Sequence, residues 1–186
     1  MTMIARILAA IPHGKTAAVI LRGLPGSGKT TLAQALVRHA NASLEGRSQE
    51  ARRLLRATRA FSADDLFEVG GGRYAFDARR LPEAHARCFR GFVDAIRGID
   101  ESVARGDDGI VVAVTHNTGT THAEIEPYRL AALAYGVEPL VVRLDVPVET
   151  CVARQTHGVP EASVRAMACR LREPLPPWAG EIVVAP

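Results

Sequence analysis

The sequence predicts an α/β protein in which a parallel sheet of about five strands is covered by helices. Three observations carry this expectation. Short apolar runs that read as strands alternate with stretches of helical spacing. The runs are continuously apolar, as strands buried on both faces are. Turn residues separate the two kinds of segment, most visibly in "GLPGSGK". The 186 residues are 47% apolar and 23% charged, an ordinary globular composition with length enough for one domain, taken here as 1–186.

In chain order, Ala17, Ala18, Val19, Ile20 and Leu21 form the first buried strand, and Leu32, Ala33, Leu36 and Val37 share one face of the helix after it. The glycine-rich piece between them is therefore a strand-to-helix turn. Arg47, Arg52, Arg53, Arg56 and Arg59 then crowd a polar, helix-like segment that reads either as a solvated face or as a phosphate-contacting patch. In "ATRAFSADDLF" a short apolar piece, 57–61, predicts the second strand, and Ser62 or Asp64 would cap a helix beginning near Leu66. Leu81, Ala84, Cys88, Phe92, Ala95, Ile96 and Ile99 predict one long helix or two across 79–106. The run 110–114 is a third strand, "IEPYRLAALAYG" a helix stopped by Gly136, and "VEPLVVRLDVP" a fourth strand. Two short helices, "VETCVARQ" and "SVRAMACRL", precede a last strand at 181–184. "PLPPWAG" reads as a stiff surface connector, with Trp178 a packing residue.

Composition narrows the function classes. No run is long and apolar enough to span a bilayer, and the first residues lack the charged and apolar regions of a secretory signal, so a cytoplasmic protein is expected. Cys88, Cys151 and Cys169 have no paired spacing that suggests zinc or a disulfide framework. A net charge of +3 tolerates an anionic substrate without demanding one.

The chemistry starts at the first turn. Gly23, four residues, then Gly28-Lys29-Thr30 matches G-x-x-x-x-G-K-[ST], and here the match has a strand before it and an amphipathic helix after it. Glycines let main-chain N–H groups turn inward around phosphate oxygens, and the opening helix aims its positive end at them. Gly23, Pro25, Gly26, Ser27, Gly28, Lys29, Thr30 and Thr31 are thus expected to hold a nucleoside triphosphate, with Lys29 on the β- and γ-phosphates and Thr30 on Mg²⁺. The fold class becomes a P-loop NTPase-type three-layer sandwich. At the end of the second strand, Asp64 and Asp65 offer a carboxylate able to take the proton of an acceptor hydroxyl.

"GLPGSGKTTLA", "FSADDLF", "GGRYAFDARRLPEAHARC", "THNT" with "EPYRLAALAYGVEPLVVRLDVP", and "VARQTHGVPEASVRAMACRL" occur in an order that resembles P-loop proteins like the kinase domain of phage polynucleotide kinase, and the AAA-labelled ATPases and RNA-repair kinases grouped with it. The resemblance covers 19–171. It implies that Asp64 is the base that activates an acceptor hydroxyl. It also implies a helical lid at about 151–172, whose Arg154 and His157 bring positive charge over the transferring phosphoryl group. Asn117 and Thr118 fall where the family has a polar motif, and Asp65 and Arg73 join the expected substrate contacts. The chain departs from the pattern at Phe67 and His157, where arginines would stand, and at Thr115-His116, where the third strand lacks a terminal Asp. Mg²⁺ would then rest on Thr30, water and Asp64.

His85 and His116 read as packing or hydrogen-bonding residues before catalysts; Arg73 and Tyr74 as a loop over the acceptor or a plain turn; Arg165 and Arg170 as grips on adenine or as solvated charges. The resulting expectation is an ATP- and Mg²⁺-dependent kinase acting on a polynucleotide 5′-hydroxyl or a nucleoside-like group. The alternatives are a kinase for a small metabolite or modified base, and an ATP-binding regulatory module with little transfer.

Overall fold

The computed structural model describes residues 2–45, 49, 58–69, 73–97, 99 and 110–185. Its centre is a sheet of five parallel strands in the order β2-β5-β1-β6-β7, where β1 is Thr16–Arg22, β2 Arg59–Phe61, β5 Ile110–Thr115, β6 Glu138–Leu144 and β7 Ile182–Val184. All seven residues of β1 are buried. Its alternation divides the core: Ala17, Val19 and Leu21 pack with Ile7 of α1 (Met3–Ala9) and with Leu32 and Leu36 of α2 (Lys29–Glu45). Ala18 and Ile20 meet Phe92 and Ile96 of α3 (Leu81–Ile96), and Ile125 and Tyr128 of α4 (His122–Ala134), on the opposite face. Burying each of the larger of these side chains contributes about 1.5–3 kcal/mol.

Register sets where chemistry can occur. Ile20 and Phe61 both pair with Thr115, Arg22 with Arg143, and Leu144 with Val184, so the carboxyl ends of all five strands meet one edge. From β1 the chain runs outward to β2, returns to β5 beside β1, and crosses to β6 on the other side. That reversal of direction opens the crevice in which open α/β sheets bind ligands.

Several elements differ from their expected form. α1 has no long apolar pattern to announce it; Thr2 Oγ1 caps it by accepting from Ala5 N at 3.2 Å, and fully buried Ile7 anchors it. The segment expected as one or two helices over 79–106 is a 3-10 turn, Ala78–Arg80, followed by α3, which ends at Ile96. Residues 98 and 100–109 lie outside the described ones, as do the expected arginines 47, 52, 53 and 56 and glycines 70–72. Arg59 is exposed. Arg73 and Tyr74 form a short strand, β4, antiparallel to β3 (Glu68–Val69), rather than a bare turn. The helix expected near Leu66 is a 3-10 turn starting at Ala63. Trp178 is 54% exposed and packs from outside, with the Arg129 guanidinium 4.2 Å from its ring centre.

Candidate active site

The loop after β1 is fixed from below. Gly23 N donates to Thr118 O at 2.9 Å and Ser27 N to Leu24 O at 3.1 Å, which ties the loop to the segment after β5. α2 then opens at Lys29 with no acidic residue in its first turn, so the positive end of a 17-residue helix faces the crevice uncompensated. The Lys29 ammonium donates to Gly23 O at 2.9 Å and Leu24 O at 2.8 Å. Burial pushes its pKa down from 10.5 to about 8, against the opposing pull of the Asp64 carboxylate. Gly26 has φ +81, and a Cβ there would run into the Cys151 carbonyl and lie 2.9 Å from Gln155 N. The bare glycine therefore lets the loop touch the end of α5 (Val148–Arg154).

A cavity of about 740 Å³ lies above this loop. Its walls are the start of α2 with Lys29, Thr30 and Thr31, the corner after β2 with Asp64, residues 116–118, and the segment from Arg154 to Pro160 that joins α5 to α6 (Glu161–Arg172). Lys29, Asp64 and Arg154 thus face one space from three different strand ends. A small core of its own, Leu24, Cys151, Val164 and Leu171, seats α5 and α6 beside the phosphate loop.

Local bonding separates the two aspartates. Ser62 is the cap: its Oγ accepts from Asp64 N at 3.2 Å, while Asp65 Oδ2 accepts from Ser62 N at 3.0 Å, a reciprocal capping box. Asp65, expected among the substrate contacts, is turned back onto the backbone and is absent from the described cavity wall. Asp64 projects into the cavity, where Oδ1 accepts from the Tyr74 hydroxyl at 2.9 Å. The Tyr74 pKa is raised, by burial first and by this bond to a carboxylate second. Asn117, expected on substrate, holds the corner instead: Oδ1 accepts from Ala63 N at 2.8 Å while Nδ2 donates to Tyr128 Oη at 3.2 Å and to Cys88 Sγ at 3.4 Å. Asn117 is nonetheless part of the cavity wall.

Other expected residues sort by position. Pro25, Gly26, Gly28, Thr118 and His157 line the cavity, and the His157 ring lies 4.1 Å from that of Tyr74. Gly23 and Ser27 form the floor beneath the wall, with Ser27 Oγ buried and unpartnered among the described residues. Arg73 is exposed and off the wall, because neighbours along a strand point to opposite sides and Tyr74 takes the inner one. Arg165 does not reach the cavity; exposed, it pairs with Glu161 and Glu149. Arg170 Nε lies 3.4 Å from Thr120 Oγ1. Phe67, which stands where the resemblance calls for arginine, is 1% exposed and packs with Ala63 and Ala84. His85 and His116 are both on the wall, and burial holds His116 below the ordinary histidine range, with the Asp65 carboxylate opposing.

Two features had weak sequence signals. The Tyr74 to Asp64 bond spans ten residues and a hairpin, and no local periodicity encodes it. Arg22 ends a strand that reads as wholly apolar, yet it is 1% exposed and donates to Gly119 O, Thr120 O and Glu181 Oε1 at 2.9, 3.1 and 2.8 Å. A charged residue directly before Gly23 was its only trace.

A family model described as an AAA domain matches residues 19–174. The chain belongs to the AAA domain family. Solved structures share the fold of this AAA domain at low identity. Kti12 of Chaetomium thermophilum in complex with ADP-AlF3 has TM-score 0.55 and 17% identity over 90% of this chain and 88% of that one. A putative kinase from Chloroflexus aurantiacus has TM-score 0.52 and 18% identity over 92% and 88%. The Pnkp1/Rnl/Hen1 RNA repair complex contains a match of TM-score 0.54 and 15% identity over 88% of this chain, which spans 46% of the length of that one. The AAA domain seen here is a P-loop kinase-like α/β sandwich.

The residues fit a nucleotide tail and a divalent cation. An uncompensated helix N-terminus and a buried ammonium whose partners are carbonyls suit a polyphosphate. Thr30 and Asp64, both on the cavity wall, are hard oxygen donors of the kind Mg²⁺ accepts, with phosphate oxygens and water left to complete the shell. Among the described residues no group of three or more His, Cys, Asp or Glu forms a metal site by itself.

Proposed function

We propose that this protein transfers the γ-phosphoryl group of ATP to the hydroxyl of an acceptor. One observation carries the reading: Lys29 and Asp64 face the same cavity, the ammonium at the phosphate loop and the carboxylate across from it, close enough for Asp64 to influence Lys29. In the reaction the acceptor oxygen bonds to the γ-phosphorus, the bond from that phosphorus to the bridging oxygen breaks, ADP leaves, and the acceptor proton goes to Asp64. Lys29 would exchange its two carbonyl partners for phosphate oxygens. Arg154, at the end of α5, is suited to neutralise charge on the equatorial oxygens. Mg²⁺ held by Thr30 and Asp64 would add charge neutralisation across the phosphates. The family resemblance names a polynucleotide 5′-hydroxyl or nucleoside-like group as acceptor.

Incubation with γ-labelled ATP and a panel of hydroxyl acceptors tests this. Asp64→Asn is expected to bind ATP and to lose transfer by about 10²–10⁴-fold, the contribution of a positioned base. Normal turnover in that variant would remove Asp64 from the chemistry. A second reading, an ATP-binding regulatory module, draws on β5, which ends in buried Thr115 followed by His116 and supplies no carboxylate for the metal. Tight ATP binding without transfer to any acceptor would favour it.

A further inference from the structure

We propose that the acceptor is a small, uncharged alcohol with a planar or apolar body, which rests on Tyr74, Phe76 and Leu81 and presents its hydroxyl to Asp64. This rests on the kinase reading and names its substrate class.

The wall on the Asp64 side is apolar and aromatic. Phe76 is 54% exposed although its ring sits 5.1 Å from that of buried Phe67, so it offers an uncovered aromatic surface at the cavity. Tyr74 and His157 already lie side by side at the same mouth, their ring centres 4.1 Å apart and planes tilted by 42°, an aromatic surface that a further planar group would extend. Beside these lie His85, His116 and Asn117; burial pushes the His116 pKa down, and the Asn117 amide is committed to Ala63, Cys88 and Tyr128.

Among the described residues of the wall only Lys29 and Arg154 are lysine or arginine; Lys29 is bonded to the loop carbonyls of Gly23 and Leu24, and Arg154 ends α5. Arg79 and Arg80, which lead into Leu81, each hold a carboxylate in two-point fashion, Asp77 and Glu83. An acceptor bearing its own phosphate would therefore bring a second anion beside Asp64, with Lys29 and Arg154, already committed to the ATP phosphates, the only lysine or arginine among the described wall residues. The Tyr74 hydroxyl, 2.9 Å from Asp64 Oδ1, shows that this carboxylate receives a neutral hydroxyl attached to an aromatic ring. Finally, about 740 Å³ lies within the roughly 300–1,000 Å³ of small-molecule sites.

The test compares acceptors that differ by one charge. Transfer from γ-labelled ATP is measured to uridine, benzyl alcohol, uridine 3′-monophosphate and a 5′-hydroxyl hexanucleotide. The uncharged pair is expected to exceed the phosphate-bearing pair in kcat/KM by about tenfold or more, and Phe76→Ala to raise KM for the uncharged acceptor about tenfold more than KM for ATP, with Phe76→Leu restoring part of it. A higher kcat/KM for uridine 3′-monophosphate or the hexanucleotide would overturn the inference and leave the kinase reading standing. Equal changes in the two KM values of Phe76→Ala would also overturn it. Binding of ATP with no transfer to either uncharged alcohol would overturn this inference, while the wider panel of hydroxyl acceptors decides the kinase reading.

Discussion

Lys29 gives the sharpest quantitative expectation. Its ammonium is buried, and its pKa falls to about 8 from an ordinary 10.5 because burial disfavours the charge more than Asp64 restores it. The unfolded chain keeps its proton up to 10.5; the folded one releases it near 8. Folding therefore bears the full penalty of a buried charge below about pH 8, and that penalty fades as pH rises toward 10.5 and vanishes above it, where neither state is charged. A displacement of this size corresponds to about 3 kcal/mol. Lys29→Met removes the group while keeping most of its volume. Urea unfolding of both proteins at pH 7 and pH 10.5 should show Lys29→Met more stable at pH 7, with the gap shrinking by about 3 kcal/mol at the higher pH. Nucleotide should act oppositely on the free amine, because triphosphate oxygens favour the ammonium. At pH 8.5, ATP binding followed by calorimetry in buffers of different ionisation enthalpy should take up a fraction of a proton. Parallel stability curves for the two proteins, together with no proton uptake, would refute the assignment of Lys29 as a desolvated phosphate ligand.

Three further outcomes follow from the geometry. Gly26→Ala puts a Cβ against the Cys151 carbonyl at a left-handed backbone position that costs about 1–2 kcal/mol by itself, so fluorescent-nucleotide titration should show affinity lower by at least about tenfold. Asn117→Ala leaves the Ala63 N–H unpaired and frees the Asp64 corner; kcat should fall while KM for ATP changes little, and Asn117→Asp, which still accepts that bond, should recover part of kcat. Arg22→Leu strands the Gly119 and Thr120 carbonyls and leaves Glu181 to Arg143 alone, and chemical denaturation should register a loss of about 1–3 kcal/mol for each stranded carbonyl.

What could be read from the sequence was local or periodic. Continuous apolar runs are the mark of strands covered on both faces, and the runs at 17–21 and 110–114 lie inside β1 and β5. The phosphate loop was legible because its geometry is made by residues adjacent in the chain, with glycines where the backbone must turn and a helix opening at Lys29. The aspartate pair was visible as a pair. Local pattern left open which of the two faces the cavity, and the resemblance alone singled out Asp64, since the choice follows from a capping box three residues long competing with a hairpin partner ten residues away. Arg73 against Tyr74 turned on the same kind of fact, the side of a two-residue strand.

Sequence by itself thus determined the sheet, the loop and the residue types that gather at the strand ends. Packing in three dimensions settled that Asp65 and Asn117 brace the corner, that Arg22 ties the loop to Glu181 beside the last strand, and that Tyr74 and Phe76 share a cavity wall with Asp64. The physical reason is range: hydrogen bonds within a turn are written in neighbouring residues, whereas the company a side chain keeps in a cavity is fixed by strand order and register, which bring together segments as distant as Asp64 and His157.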